Sequence, residues 1–89
     1  MVITLRYYAA ASAAAGVESE TLEVPEGATL ARALEAVRAV VRSPRPDAPA
    51  LAEVLRRCSY LVNEVAAKDP QRRLAEGDLV DVLPPFAGG

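Results

Sequence analysis

The chain contains no histidine and no tryptophan, a single cysteine (Cys58), and only three tyrosines and one phenylalanine among its 89 residues. Without histidine, imidazole-based acid/base catalysis and the common His-containing metal sites are excluded. One thiol cannot close an internal disulfide, and a reducing, intracellular compartment is the simplest reading. With aromatics so scarce, the core must be built from Ala, Leu and Val. No run approaches the roughly 20 continuous apolar residues of a membrane helix, and Met1-Val2-Ile3-Thr4 lacks the basic opening of a secretion signal. A soluble, cytoplasmic protein with no membrane partner is expected. Ten basic and twelve acidic residues leave a net charge of -2, which gives no electrostatic reason to expect nucleic acid. The charge is unevenly spread: Glu18, Glu20, Glu23 and Glu26 cluster, while six arginines lie between Arg32 and Arg57. Solvated helix and strand faces explain this without a partner.

A chain of this length has room for one core. Val2 to Tyr8 alternates Ile3, Leu5 and Tyr7 against Thr4, Arg6 and Tyr8, as a strand with one covered face does. Ala9 to Ala15 is almost all alanine, a good helix former, and Gly16 can end it. Thr21 to Val24 alternates again and stops at Pro25-Glu26-Gly27, a plausible turn. Thr29 can cap a helix running from Leu30 to about Arg42. Leu30, Ala33, Leu34, Val37 and Val41 gather on its buried face, and Arg32, Glu35 and Arg42 are left to solvent. The prolines at 44, 46 and 49 enforce a loop before a short helix from Ala50 to Arg57. Ser59 to Asn63 and Leu79 to Leu83 read as strands, with Val80 and Val82 on one face and Leu79, Asp81 and Leu83 on the other. Four strand candidates and one long helix describe an α+β domain in which the helix covers one side of a mixed sheet. A ferredoxin-like sandwich is disfavoured because the segment after Pro49 is too short and polar to supply a second full covering helix.

Cys58 has no second cysteine or histidine base, so a structural thiol is favoured over a transfer or redox role. Asp78 and Asp81 suit a turn and an outward strand position better than a cation site. Gly77 is a turn glycine, not part of a phosphate-binding loop. The terminal Pro84-Pro85-Phe86-Ala87-Gly88-Gly89 stands apart. As a bland frayed end it needs no function. As a reactive end, Gly88 and Gly89 would pass through a narrow cleft and leave the terminal carbonyl open to attack, and six extended residues reach roughly 20 Å.

The run from Leu74 through Glu76-Gly77-Asp78 and Leu79-Val80-Asp81-Val82-Leu83 to Pro84-Pro85-Phe86-Ala87-Gly88-Gly89 resembles the small sulfur-carrier family. That family includes the small subunit of molybdopterin synthase and the thiamine-pathway sulfur carrier, both relatives of ubiquitin. Ile3 to Ala10, Pro25 to Leu30 and Val62-Asn63 resemble it in the same order. Ser12-Ala13, where many relatives have a charged pair, and Glu64 to Ala67, without the usual aromatic residue, depart from it.

The resemblance implies a ubiquitin-like β-grasp domain over residues 1–83 and a flexible reactive tail over 84–89. The carboxylate of Gly89 would be adenylated by an E1-like enzyme using ATP and magnesium. It would then become a thiocarboxylate with sulfur from a donor such as a cysteine desulfurase or rhodanese-like protein. The chain alone would be a carrier rather than an enzyme, the small subunit of a sulfurtransferase complex with the large subunit of molybdopterin synthase. The loop from Pro44 to Pro49 and the helix after it favour this pathway. Gly88 gives clearance; Leu79, Asp81, Leu83, Pro84, Pro85, Phe86 and Ala87 would contact partners, although edge packing suits Phe86 equally well. Sulfur delivery to thiamine or another metabolite, conjugation of Gly89 to a lysine of another protein, and a passive interaction domain remain alternatives.

Overall fold

Strand β1 (Val2–Tyr7) buries Ile3, Leu5 and Tyr7 and turns Val2, Thr4 and Arg6 to the opposite side, the period-two pattern of a half-covered strand. It is the second strand of a five-stranded sheet in a computed structural model that describes residues 1–85. Helix α1 (Ala10–Ala15) follows at once and buries Ala11, Ala14 and Ala15. Its entry is tight: Ala9 has φ 49 and ψ -125, and its carbonyl accepts from Ser12 N (3.1 Å), Ala13 N (3.2 Å) and Ser12 Oγ (3.0 Å). Gly16 ends the helix with φ 80, and a Cβ there would sit 2.3 Å from the carbonyl oxygen of Ser43. Both the left-handed backbone and the close approach require glycine.

Strand β2 (Ser19–Glu23) pairs antiparallel with β1, placing Leu22 opposite Ile3. Helix α2 (Leu30–Ala39) starts as the sequence predicts, with Thr29 Oγ1 accepting from Arg32 N at 3.2 Å. Leu30, Ala33 and Val37 are buried and Leu34 half-buried. Its far end differs from expectation. The helix stops at Ala39, Val40 is extended, Val41 is 98% exposed and Arg42 turns inward. The Arg42 side chain is 8% exposed and pairs with the Glu20 carboxylate, which also accepts from the Tyr7 hydroxyl. The guanidinium donates to Val37 O (2.9 Å) and Ala15 O (3.3 Å) as well. One cation thus satisfies carbonyls at the C-terminal ends of two helices, a favourable position for positive charge. Reaching back this way requires leaving the helix, and the Arg42 contacts outweigh burial of Val41. Burial alone would lower the Arg42 pKa, but its hydrogen bond to Glu20 leaves it raised; the Tyr7 hydroxyl is raised by burial and by Glu20.

After the proline loop come α3 (Leu51–Arg57), β3 (Ser59–Val62), β4 (Val65–Ala66) and β5 (Leu79–Leu83). The sheet order is β2-β1-β5-β3-β4, with β1 and β5 parallel and the other pairs antiparallel. The four expected strands become five because Val65–Ala66 adds a two-residue edge. One cluster joins Ile3, Leu5, Val62, Val80 and Val82 of the sheet to Leu30, Ala33 and Val37 of α2, Val54 and Leu55 of α3 and the alanines of α1. This is the ubiquitin-like β-grasp arrangement that the family resemblance implies. No helix among the described residues is long and apolar enough to cross a membrane.

Cys58 closes α3 half-buried, and its Sγ donates to Val54 O at 3.1 Å. Burial pushes its thiol up to about 11.

Two backbone positions should respond with opposite signs. Gly16→Ala should destabilise by more than about 1 kcal/mol, and Ala9→Gly should be neutral or stabilising by up to about 1 kcal/mol, because glycine relieves the strain at φ 49. Urea unfolding checks both; equal losses would contradict the assignment. Cys58 in the native protein should react with iodoacetamide far more slowly at pH 8 than in urea, because a thiol raised from 9.0 to about 11 holds roughly a hundredfold less thiolate. By linkage, its contribution to stability is complete below pH 9 and falls as pH rises towards 11.

Candidate functional site

The last strand is fixed along its length before the chain leaves the sheet. Thr4 to Tyr7 of β1 pair in parallel with Leu79 to Val82, while Ser59 to Val62 of β3 pair antiparallel with Leu83 to Val80. Val80 and Val82 are fully buried. The start of β5 is pinned by Asn63, which caps the β3–β4 turn with φ 50. Asn63 Oδ1 accepts from Leu79 N (3.0 Å), and its Nδ2 donates to Asp78 Oδ1 (2.9 Å). Asp78 Oδ2 accepts from Ala75 N (2.8 Å), which closes the turn around Gly77. At the other end Tyr8 N donates to Val82 O (3.3 Å).

Beyond Leu83, Pro84 is half-buried and Pro85 exposed, beside an open groove of about 390 Å³ lined by Ala10, Pro49, Val54 and Arg57. The structure therefore brings the start of α1 and the proline loop to the place where the described chain ends. The sequence-predicted residues Phe86, Ala87, Gly88 and Gly89 lie outside the described residues.

Leu79, Asp81 and Leu83 share the sheet face opposite the helices, as alternation with Val80 and Val82 requires. That face is less open than expected. Leu79 and Leu83 are half-buried, and the Asp81 side chain is only 5% exposed. The reason is Arg6, directly opposite on β1, whose Nε donates to Asp81 Oδ1 (2.7 Å) and Nη2 to Oδ2 (3.1 Å). Such a two-point pair fixes both side chains and covers the carboxylate. The hydrogen bond to Asp81 raises the Arg6 pKa. Sequence reasoning assigned Asp81 to the outer face but missed its partner. An arginine and an aspartate, each at an outward position of two candidate central strands, are the signal that could have found it.

Asp78 and Asp81 have their oxygens committed to protein donors, and no group of three or more Cys, Asp or Glu among the described residues is placed to hold a metal. Among the described residues, the region holds no assembled acid, base and nucleophile. It presents a strand end and an outward sheet face.

A family model described as the ThiS family matches residues 5–89. The molybdopterin synthase sulfur carrier subunit of Chlamydomonas reinhardtii is 31% identical over 90 residues, covering all of both chains. The putative molybdopterin converting factor subunit 1 of Pyrococcus furiosus superposes with a TM-score of 0.74 at 22% identity, over 97% of this chain and 99% of that one. A chain from the complex of subunits 1 and 2 of the molybdopterin-converting factor of Helicobacter pylori gives 0.68 at 19% identity, over the full length of both. Sequence match and β-grasp topology agree along the whole chain, which belongs to the ThiS family of ubiquitin-like sulfur carriers.

Proposed function

We propose that this chain is the sulfur-carrying small subunit of a molybdopterin synthase, with the carboxylate of Gly89 as its working group. The observation that carries this reading is that the family match runs through residue 89, so Gly88-Gly89 lie inside the shared segment. The name of the Chlamydomonas relative supports the choice of pathway.

In this reading the Gly89 carboxylate attacks the α-phosphorus of ATP on an E1-like enzyme that holds magnesium, and pyrophosphate leaves. The outer sulfur of a persulfide on a cysteine desulfurase or rhodanese-like donor then attacks the acyl carbon and expels AMP, giving an acyl disulfide; a second thiol of the partners cleaves its S–S bond, and the two partner cysteines are left joined as a disulfide. The terminal carbon is left bearing sulfur in place of one oxygen. The large subunit takes up this end and passes the sulfur to a pterin precursor. This chain contributes the reacting carbon and its delivery; partners supply electrostatic stabilisation and exclude water. Leu79, Leu83, Pro84, Pro85, Phe86 and Ala87 form the contact that guides the end, and Gly88 keeps it thin. Asp81 acts there through Arg6, since its own carboxylate is covered. Cys58 plays no part, consistent with its burial and raised pKa.

Extending the chain by one alanine after Gly89, or deleting Gly89, should block sulfur loading while the domain still folds. One residue shifts the carboxylate by about 3.3–3.6 Å, well beyond the roughly 1 Å misplacement that aligned chemistry tolerates. Wild type and both variants, incubated with the activating enzyme, magnesium-ATP and a sulfur donor, are compared by intact mass. Only wild type should exchange one oxygen for sulfur. Loading of the extended chain at the wild-type rate would overturn the reading, and lysine-linked conjugates without sulfur would mark a protein modifier instead.

A further inference from the structure

On the face that carries Leu79, Asp81 and Leu83, an ion pair lies between hydrocarbon on its β3 side and polar neighbours, with Thr4 opposite Leu79, Ser59 opposite Leu83 and Ser19 opposite Arg6. On β3, Leu61 lies opposite Asp81; on β5, Leu79 and Leu83 lie two residues to either side of it; Tyr8 follows Arg6 by two and is 40% exposed. The helices bury their apolar residues on the other side, with Val80 and Val82. Within the pair the two members differ in access. Asp81 is 5% exposed and has both oxygens bound to Arg6, whereas Arg6 is 40% exposed. The part of this charge pair that another molecule can touch is the guanidinium.

Arg6 directs Nε and one Nη2 hydrogen at Asp81, and a guanidinium has further N–H donors in the same plane. At 40% exposure the guanidinium is open to solvent in the free protein. A partner that covered the face with hydrocarbon alone would strip that solvent and leave charged donors unsatisfied, a heavy penalty in a closed interface. A partner carboxylate would satisfy them, but Asp81 already neutralises Arg6 and Glu64 adds further negative field. A third acid would be enclosed without compensation. An uncharged oxygen, from a main-chain carbonyl or an amide side chain, meets the donors without that cost.

Resting on the reading of this chain as a synthase small subunit, we propose that Arg6, positioned by Asp81, is the specificity-determining contact of this face for the large subunit. That subunit turns an uncharged carbonyl oxygen onto the guanidinium from within an apolar ring over Leu61, Leu79 and Leu83. The large subunit is the occupant because β5, the strand carrying this face, is also the one that leads through Pro84-Pro85 to the end it must receive. A flat apolar surface on a wrong partner is rejected by the same donors.

Calorimetric titration of the full-length chain with the large subunit tests this, comparing wild type with R6L/D81L, R6K and L61D, each checked for folding by circular dichroism. R6L/D81L removes both charges together, so no lone charge is left behind, and should bind at least about tenfold more weakly. Because the pair is neutral and its contact uncharged, that loss should be nearly the same in low and high salt. Affinity of R6L/D81L within about twofold of wild type would overturn the proposal, as would a loss that vanishes in high salt, which would identify a charged acceptor. If the double variant fails to fold, R6K gives up the planar fork while keeping the charge; it should bind several-fold more weakly, and unchanged affinity would overturn the proposal equally. L61D distinguishes the face as a whole from its arginine. Weakened L61D with unaffected Arg6 variants removes only the role of Arg6, whereas wild-type affinity in every variant removes the reading of this face as the docking surface.

Discussion

The parallel pairing of β1 with β5 is the constraint on which the rest of the molecule depends. Parallel neighbours cannot be joined by a tight turn, so all of the chain between Tyr7 and Leu79 must cross over before the last strand can enter the sheet. In this fold the crossover carries the helices and places them on one face. Both central strands bury alternate residues beneath those helices, Leu5 and Tyr7 from one and Val80 and Val82 from the other. Because β5 is paired on both sides, the chain passes into Pro84-Pro85 from a strand held along its length. Asn63 and Asp78 at its start fix the register, and a slip of one residue would move Val80 and Val82 to the outer face.

The same pairing divides the work between two faces. On the inner side, hydrocarbon packing is completed by an enclosed charge group, Arg42 with Glu20 and Tyr7, which ties together the ends of α1 and α2 and one edge of the sheet. On the outer side, Arg6 and Asp81 bridge β1 and β5 beside Leu61, Leu79 and Leu83. Breaking a buried pair by removing one member generally costs more than replacing both, so each pair also fixes which neighbours can surround it. The inner pair serves the fold; the outer pair is available to a partner.

Local signals made much of this legible in the sequence. Thr29 caps α2, Gly16 stops α1, and the alternation in Val2 to Tyr7 and Leu79 to Leu83 marks the covered faces correctly. Each is decided by neighbouring residues, where propensity and periodicity act. The errors sit where distant residues decide. Val41 fits the helical stripe, yet it is outside because Arg42 gains Glu20, Val37 and Ala15 as partners when the helix ends early. The edge strand Val65–Ala66 has too few residues to show a period. Covering of Asp81 by Arg6 depends on a pairing between residues 75 positions apart. At the site, the strand, the turn and the two prolines were readable, while the groove formed with Ala10, Pro49 and Val54 required the fold.

If one sheet face holds the fold and the other meets partners, amide chemical shifts will separate them. The direct measurement is titration of the isotopically labelled chain with the large subunit, followed by heteronuclear NMR. The largest changes are expected at Arg6, Tyr8, Leu61, Leu79, Asp81 and Leu83, with the exposed side of α2 around Arg32 and Glu35 unaffected. Changes concentrated on α2, with the outer sheet face undisturbed at saturation, would contradict it.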